Sequence, residues 1–255
     1  MPLNAFRLCV AVVAIATHAS ADPDLLREGR VIPLRVLDIL PSVEGIVTNV
    51  NFKDGADVPR GAVLFELDDL QQRAQVDSCR AGLFSAEAEL RRSKQLYQRM
   101  SSSDSRGTTA LELDEAKVAC EVAQWNRDQA AASLAAAEHE LSRMCIRAPF
   151  AGRMGLSAAT VGSLAATYRE PLARLVQMDP IRVVFEYPID KRGQSDLSKI
   201  RLALANAVDY EHPGRVDFEN NETTEDGRSI VLGATFPNPD GKLIPGMKVT
   251  VRIGQ

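Results

Sequence analysis

Between residues 70 and 145, apolar residues return every seven positions in two parallel columns, and one polar gap interrupts them. Val76, Leu83, Leu90 and Tyr97 form the first column, and Cys79, Ala86, Ser93 and Met100 the second, three places on. Beyond the gap, Leu113, Cys120, Arg127, Leu134 and Leu141 run beside Ala116, Ala123, Ala130, Ala137 and Met144. Two columns at this spacing are the seam of a coiled coil. The gap, SSSDSRGTT, is too short for anything but an antiparallel return. The pattern therefore predicts a helical hairpin over 70–145 with arms of about 45 Å, at about 1.5 Å per residue. Arg127 sits in the seam and is expected to carry its charge out to water along its stem. Thr109 with Glu112 makes a capping box for the second helix. Glu112, Asp114 and Glu115 suit the positive end of that helix, and Arg91, Arg92, Lys94 and Arg99 the negative end of the first. Pro149 is expected to stop the second helix at IRAPF.

The flanks of this hairpin resemble each other. VEGIVTNVNFKDGADVPRGAVLFELDD precedes it, and APFAGRMGLSAATVGSLAATYREPLARLVQMD follows. Each copy has a proline (Pro41, Pro149), two glycines ten positions apart (Gly45 and Gly55, Gly152 and Gly162) and a closing aspartate (Asp68, Asp179). A few short strands cannot close a core alone. The two copies are thus expected to be halves of one small β-sandwich, 41–69 plus 146–178, with the hairpin inserted at its tip. Glycines at matched places suggest turns at positive φ, where a Cβ would clash. Turn roles are assigned to Gly45, Gly55, Gly61, Gly152, Gly162, Pro245 and Gly246. From residue 179 to 255 the pattern alternates in short strands separated by Gly, Pro, Asn and Asp, which suggests a small β-barrel. A strand within 22–40 joins the barrel or the sandwich. The fold class is mixed α+β, elongated and modular: split sandwich, inserted hairpin, then barrel.

The first 21 residues read as a secretory signal, with Arg7, an apolar run from Leu8 to Ala16, and Ala19-Ser20-Ala21 as a cleavage site. AFRLC lacks the small residues of a lipoprotein signal, so no lipid anchor is expected. Cys79, Cys120 and Cys145 then remain, an odd number with no CxxC, which argues against a disulfide framework and a zinc site. A net charge of −4 and sparse aromatics argue against nucleic acid. Isolated His139 and His212, with no GxSxG and no metal spacing, argue against an enzyme and leave no catalytic, cofactor or metal residues to name. A swinging-arm carrier would need a lysine on the turn that the hairpin replaces.

This arrangement resembles the periplasmic adaptor (membrane fusion protein, HlyD-like) family of tripartite efflux pumps of the resistance–nodulation–division (RND) type. VEGIVTNVNFKDGADVPRGAVLFELDD resembles the first half of that family's lipoyl-like domain, and RAPFAGRMG with LVQMDPIRVVFEYP the return half and the start of the barrel. GRVDFENN and ATFPNPDGKLIPGMKVTVRI resemble its barrel strands. The resemblance implies a subunit in the periplasm, associated peripherally with the inner membrane. It implies that the subunit links an inner-membrane RND transporter to an outer-membrane channel by assembly and sealing, as a homo-oligomer (trimer or hexamer). It further implies a hairpin tip that meets the channel through an Arg-x3-Leu-x6-Ser spacing. Arg92, Leu96 and Ser103 fit it, and another alignment puts Thr109 at the serine. The family's membrane-proximal domain is expected to be absent, which puts docking to the pump in doubt. The alternatives are an adaptor of a type I secretion or other exporter system, or a truncated adaptor with reduced docking.

Overall fold

A computed structural model describes residues 25–102, 109–167, 169–192, 197, 200–204 and 208–253. The proposed signal, residues 1–21, lies outside them. In chain order, β1 (Leu25–Pro33) and β2 (Val36–Ile39) are followed by β3 (Gly45–Val50), β4 (Asp57–Val58) and β5 (Val63–Leu67). Then come α1 (Leu70–Ser102) and α2 (Ala110–Ser142), and β6 (Cys145–Arg147), β7 (Gly152–Met154), β8 (Leu164–Ala165) and β9 (Ala173–Val176). Next are β10 (Ile181–Pro188), a 3-10 turn at Ile189–Lys191, β11 (Ile200–Ala203), β12 (Arg215–Thr223), β13 (Ser229–Phe236) and β14 (Lys248–Ile253). The chain divides into two compact units. One comprises 31–182 and 236–247; the other holds the described parts of 1–30, 183–235 and 248–255.

The first unit holds the sandwich and the hairpin. Its two four-stranded sheets run β2-β9-β7-β4 and β6-β5-β3-β8. Each sheet takes strands from both sides of the hairpin, so neither half is a sheet by itself. The pairing follows the internal repeat. Gly55 N donates to Met154 O at 3.1 Å, and Gly162 N donates to Val47 O at 2.8 Å. These two bonds are the same bond seen from the two copies, because Met154 stands to Gly152 as Val47 stands to Gly45. Between the sheets lie Ile39, Val47, Leu64, Phe65, Leu67, Met154 and Leu175, all nearly or wholly buried. Phe52 meets Phe65 edge-on at 5.3 Å.

The glycines do two different jobs. Gly55, Gly61, Gly162 and Gly246 adopt positive φ, as turns require. Gly246 follows Pro245 in a turn closed by Met247 N to Ile244 O at 3.1 Å, the type that wants proline then glycine. Gly45 and Gly152 are not turn residues, contrary to the sequence expectation; they open β3 and β7. They are glycine because a neighbour lies close across the sheet, backbone at Gly152 and the Leu67 side chain at Gly45. A Cβ on Gly152 would lie 2.4 Å from Val176 O, and one on Gly45 would lie 3.2 Å from Leu67 Cβ.

Each helix has 33 residues, about 50 Å of reach. The predicted columns are the ones that turn inward: Val76, Leu90 and Ser93 are buried on α1, Ala116 and Ala123 on α2 and Met144 just beyond it, and the rest of the seam is half-buried. Arg127 reaches out of it to Asp128 at 2.8 Å. Arg80 spans the hairpin to Glu138 at 3.6 Å. The cysteines at 79, 120 and 145 are free thiols. Two boundaries differ from the sequence reading. The second helix stops at Ser142, before Pro149 can act, because Cys145–Arg147 pairs with β5. The segment 22–40 is not one strand but two: β1 lies in the six-stranded sheet and β2 on the sandwich edge beside β9.

The second unit is the six-stranded half of a small β-barrel, ordered β11-β14-β1-β10-β13-β12. Alternation sets its inner face, with Val183, Phe185 and Tyr187 from β10, Leu232 and Ala234 from β13, and Val249, Val251 and Ile253 from β14. Gly29 lies between them, where a Cβ would stand 2.8 Å from both Val183 Cγ1 and Val251 Cγ2.

The two kinds of glycine can be separated by measurement. Gly152→Ala forces backbone against backbone and is expected to cost about 1–3 kcal/mol. Gly82→Ala, in α1 with nothing within 4 Å of the new Cβ, is expected to stabilise by about 0.5–1 kcal/mol. Urea unfolding of both variants checks this, and equal effects would contradict the close approach at β7.

Candidate functional site

The hairpin is fixed at its root. Asp68 Oδ1 accepts from Leu70 N at 3.2 Å, and Asp69 pairs with Arg73 at 2.8 Å, so the two aspartates start α1. At the other leg, the Arg143 guanidinium donates to Ser42 O and pairs with Glu140 at 3.0 Å, tying the end of α2 to the sandwich loop. Beside the root, Asn49 and Asn51 donate to the two oxygens of Glu66 at 2.8 and 2.9 Å. Those two bonds hold its carboxyl below the usual range.

Far from the root, Arg92 and Leu96 lie one turn apart on α1, outside the seam. Arg92 is 81% exposed, with Glu89 at 3.6 Å, and Leu96 is 40% exposed. Both are therefore available to a partner. Ser103 lies outside the described residues. Thr109 is occupied: its Oγ1 accepts from Glu112 N at 3.3 Å, and its N donates to Glu112 Oε2 at 2.8 Å. Its hydroxyl also donates to that carboxylate at 2.9 Å. The reciprocal bonds satisfy the exposed amides of the first turn. They also depress the Glu112 carboxyl, the bond from the Thr109 backbone contributing most. Thr109 thus serves the start of α2.

The sequence reading missed two sets of residues. Leu111, Val118, Val122 and Trp125 of α2 are all more than half exposed, as is Phe84 on α1. Their signal was available, because Leu111, Val118 and Trp125 also recur every seven positions, on the side away from the seam. Asn238 lies within ATFPNPDGKLIPGMK, where no local signal sets it apart. It is 2% exposed, and its side chain donates to Met178 O and Leu243 O, each at 2.9 Å, and accepts from Leu243 N at 3.0 Å. Its own N donates to Asp179 Oδ1 at 2.8 Å. A buried amide with this many partners fixes the segment 236–247 against the end of the sandwich.

Residues 35–177 match a family model described as "RND MFP, barrel-sandwich hybrid domain", and residues 188–255 one described as "RND MFPs, beta-barrel domain". The chain belongs to the RND membrane fusion protein family. Among curated relatives, the antibiotic efflux pump periplasmic linker protein ArpA of Pseudomonas putida is 30% identical over 241 residues, covering 88% of this chain and 61% of its own. The multidrug resistance protein MdtE of Escherichia coli (strain K12) is 27% identical over 260 residues, covering 95% and 68%. The chain spans about three-fifths of the length of the first of these. Two solved structures share the fold. MacA from Actinobacillus actinomycetemcomitans has a TM-score of 0.67 at 21% identity, covering 91% of this chain and 78% of that one. The membrane fusion protein Spr0693 from Streptococcus pneumoniae R6 has 0.66 at 16%, covering 91% and 99%. No helix among the described residues is long and apolar enough to cross a membrane.

The cap predicts a pH signature. Glu112 has a depressed folded pKa, so its stabilisation is full above the unfolded carboxylate value, about 4.3, and is lost as pH falls through the folded value. Thr109→Ala is expected to cost about 1 kcal/mol at pH 7. The gap to the parent should narrow towards pH 3, read by circular dichroism during urea unfolding. A gap independent of pH would contradict the reciprocal cap.

Proposed function

We propose that this chain is a periplasmic adaptor subunit that links an inner-membrane RND multidrug efflux transporter to an outer-membrane channel. The observation that carries the reading is the capped helical hairpin on a sandwich root, with Arg92 and Leu96 presented outside its seam. The names of the relatives, an efflux pump periplasmic linker and a multidrug resistance protein, point the same way. A hairpin of this length gives reach across the periplasm without a large globular domain to order. Its role is assembly and sealing, not catalysis. The chain is exported by its signal, rests peripherally on the inner membrane through its pump, and works as a homo-oligomer, a trimer or hexamer. Arg92, Leu96 and Ser103 contact the channel, and Thr109 caps the second helix.

Deletion of the chain in its host should raise dye accumulation, and unchanged accumulation would count against the efflux role. Leu96→Asp should abolish crosslinking to an outer-membrane channel while leaving the thermal midpoint unchanged. A large fall in the midpoint would show instead that Leu96 is needed for packing.

A further inference from the structure

The outward face of the six-stranded sheet carries a groove of about 550 Å3 that crosses β14, β1, β10 and β13. Alternation makes it. Val183, Phe185 and Tyr187 of β10 turn inward, so Val184, Glu186 and Pro188 turn out. The outward residues of the middle strands are short, and those beside them on β1 and β14 are long. Val184 and Val231 are half-buried and form an apolar floor. Glu28, Arg30 and Lys248 form one wall. An apolar floor with a few polar groups, in this volume, is the make-up of a small-molecule site.

The free charges of the groove lie at its two ends. β1 leaves this unit after Arg30 and β10 enters it at Val183, so the two strands run in opposite directions. Gly29 stands beside Val183, because a Cβ on it would lie 2.8 Å from Val183 Cγ1. Arg30 therefore marks the end at which β10 begins, and Lys248 is its partner across the pair. Glu186 lies about 13 Å farther along, four residues at about 3.3 Å each. Beyond it, Ile189 N donates to Arg228 O at 3.0 Å and closes the far end. Lys248 is taken by Glu28 at 2.8 Å. Arg30 and Glu186 are exposed and form no ion pair among the described residues. The groove thus offers a cation at one end, valines in the middle and an anion at the other end. A ligand with one charge would leave one of these groups unmatched, and a neutral ligand would leave both.

We propose that this groove binds a zwitterionic amphiphile, a small molecule with an anionic group for Arg30, a cationic group for Glu186 and an apolar chain between them on Val184 and Val231. The barrel then has a ligand of its own. That function lies beyond joining a transporter to a channel and does not depend on it.

The test is calorimetric titration of the exported full chain with ω-aminoundecanoic acid, a straight chain with a charge at each end. Undecanoic acid and undecylamine carry one charge each and serve as comparisons, all below their micelle-forming concentrations. The zwitterion should bind about fivefold tighter than either, the factor carried by about 1 kcal/mol, which is the upper range for an exposed ion pair. Arg30→Gln should bring the zwitterion down to the affinity of undecylamine and leave undecylamine where it was. Glu186→Gln should bring it down to the affinity of undecanoic acid and leave undecanoic acid where it was. Val231→Glu, which puts a charge on the floor, should weaken the zwitterion at an unchanged thermal midpoint. Equal affinity for the three probes, no binding of the zwitterion, or affinities unmoved by Arg30→Gln and Glu186→Gln would each overturn the proposal. Dye accumulation in the deletion strain is a separate readout, so failure of the groove and failure of the efflux role are told apart.

Discussion

The hydrogen bond from Leu67 N to Met144 O, 2.9 Å long, joins two points of the chain with the whole hairpin between them. It sits where β5 pairs with β6, through Phe65 opposite Ile146 and Glu66 opposite Cys145. Bringing such distant residues together costs chain entropy, though the cost grows only slowly with loop length. The hairpin lowers it further, because its seam already returns the chain to its starting point. The buried core then offsets what remains. Leu64, Phe65, Val47 and Leu175 have no exposed surface, and they come from both sides of the insertion. Arg143, held by Glu140 and Ser42, ties the end of the arm to this root.

A thin seam has consequences for the arm itself. Most of a helix's stability in a protein comes from packing of its apolar face. Here one of the two seam columns of the second helix is alanine throughout its length, which lets the helices approach closely but buries little area per residue. The capping box at Thr109 and the acids of the first turn supply local support at the far end. The arm is thus stable enough to stand away from the sandwich, with its outward faces left for other molecules.

Much of this was legible in the residues. The seven-residue columns gave the seam, down to Arg127 as its one charged member, because burial in a coiled coil follows periodicity alone. The repeat of Gly45 and Gly55 at Gly152 and Gly162 revealed the split sandwich. It misassigned the first glycine of each pair, because spacing cannot distinguish a positive φ from a neighbour that leaves no room for a Cβ across a sheet. The end of α2 was placed at a proline, the nearest sequence signal, whereas a tertiary pairing ends it earlier. The N-terminal segment was read as one strand because a change of sheet after Pro33 leaves no mark in apolar alternation. At the candidate site, Arg92 and Leu96 are exposed, as their spacing outside the seam suggested, and Thr109 caps as its pairing with Glu112 required. The column from Leu111 to Trp125 was passed over because apolar residues outside a seam are ordinarily scattered.

The central claim is that two sequence-distant pieces make one sandwich on which the hairpin stands as an inserted arm. It is tested most directly by excising residues 70–142 and joining the ends, which the Leu67–Met144 contact brings together, through a short glycine-rich loop. Amide hydrogen exchange then reads the sandwich strands. The account predicts that Val47, Phe65, Met154 and Leu175 keep slowly exchanging amides and unfold together. Fast exchange at these four positions, or two independent transitions for the pieces before and after the loop, would contradict it.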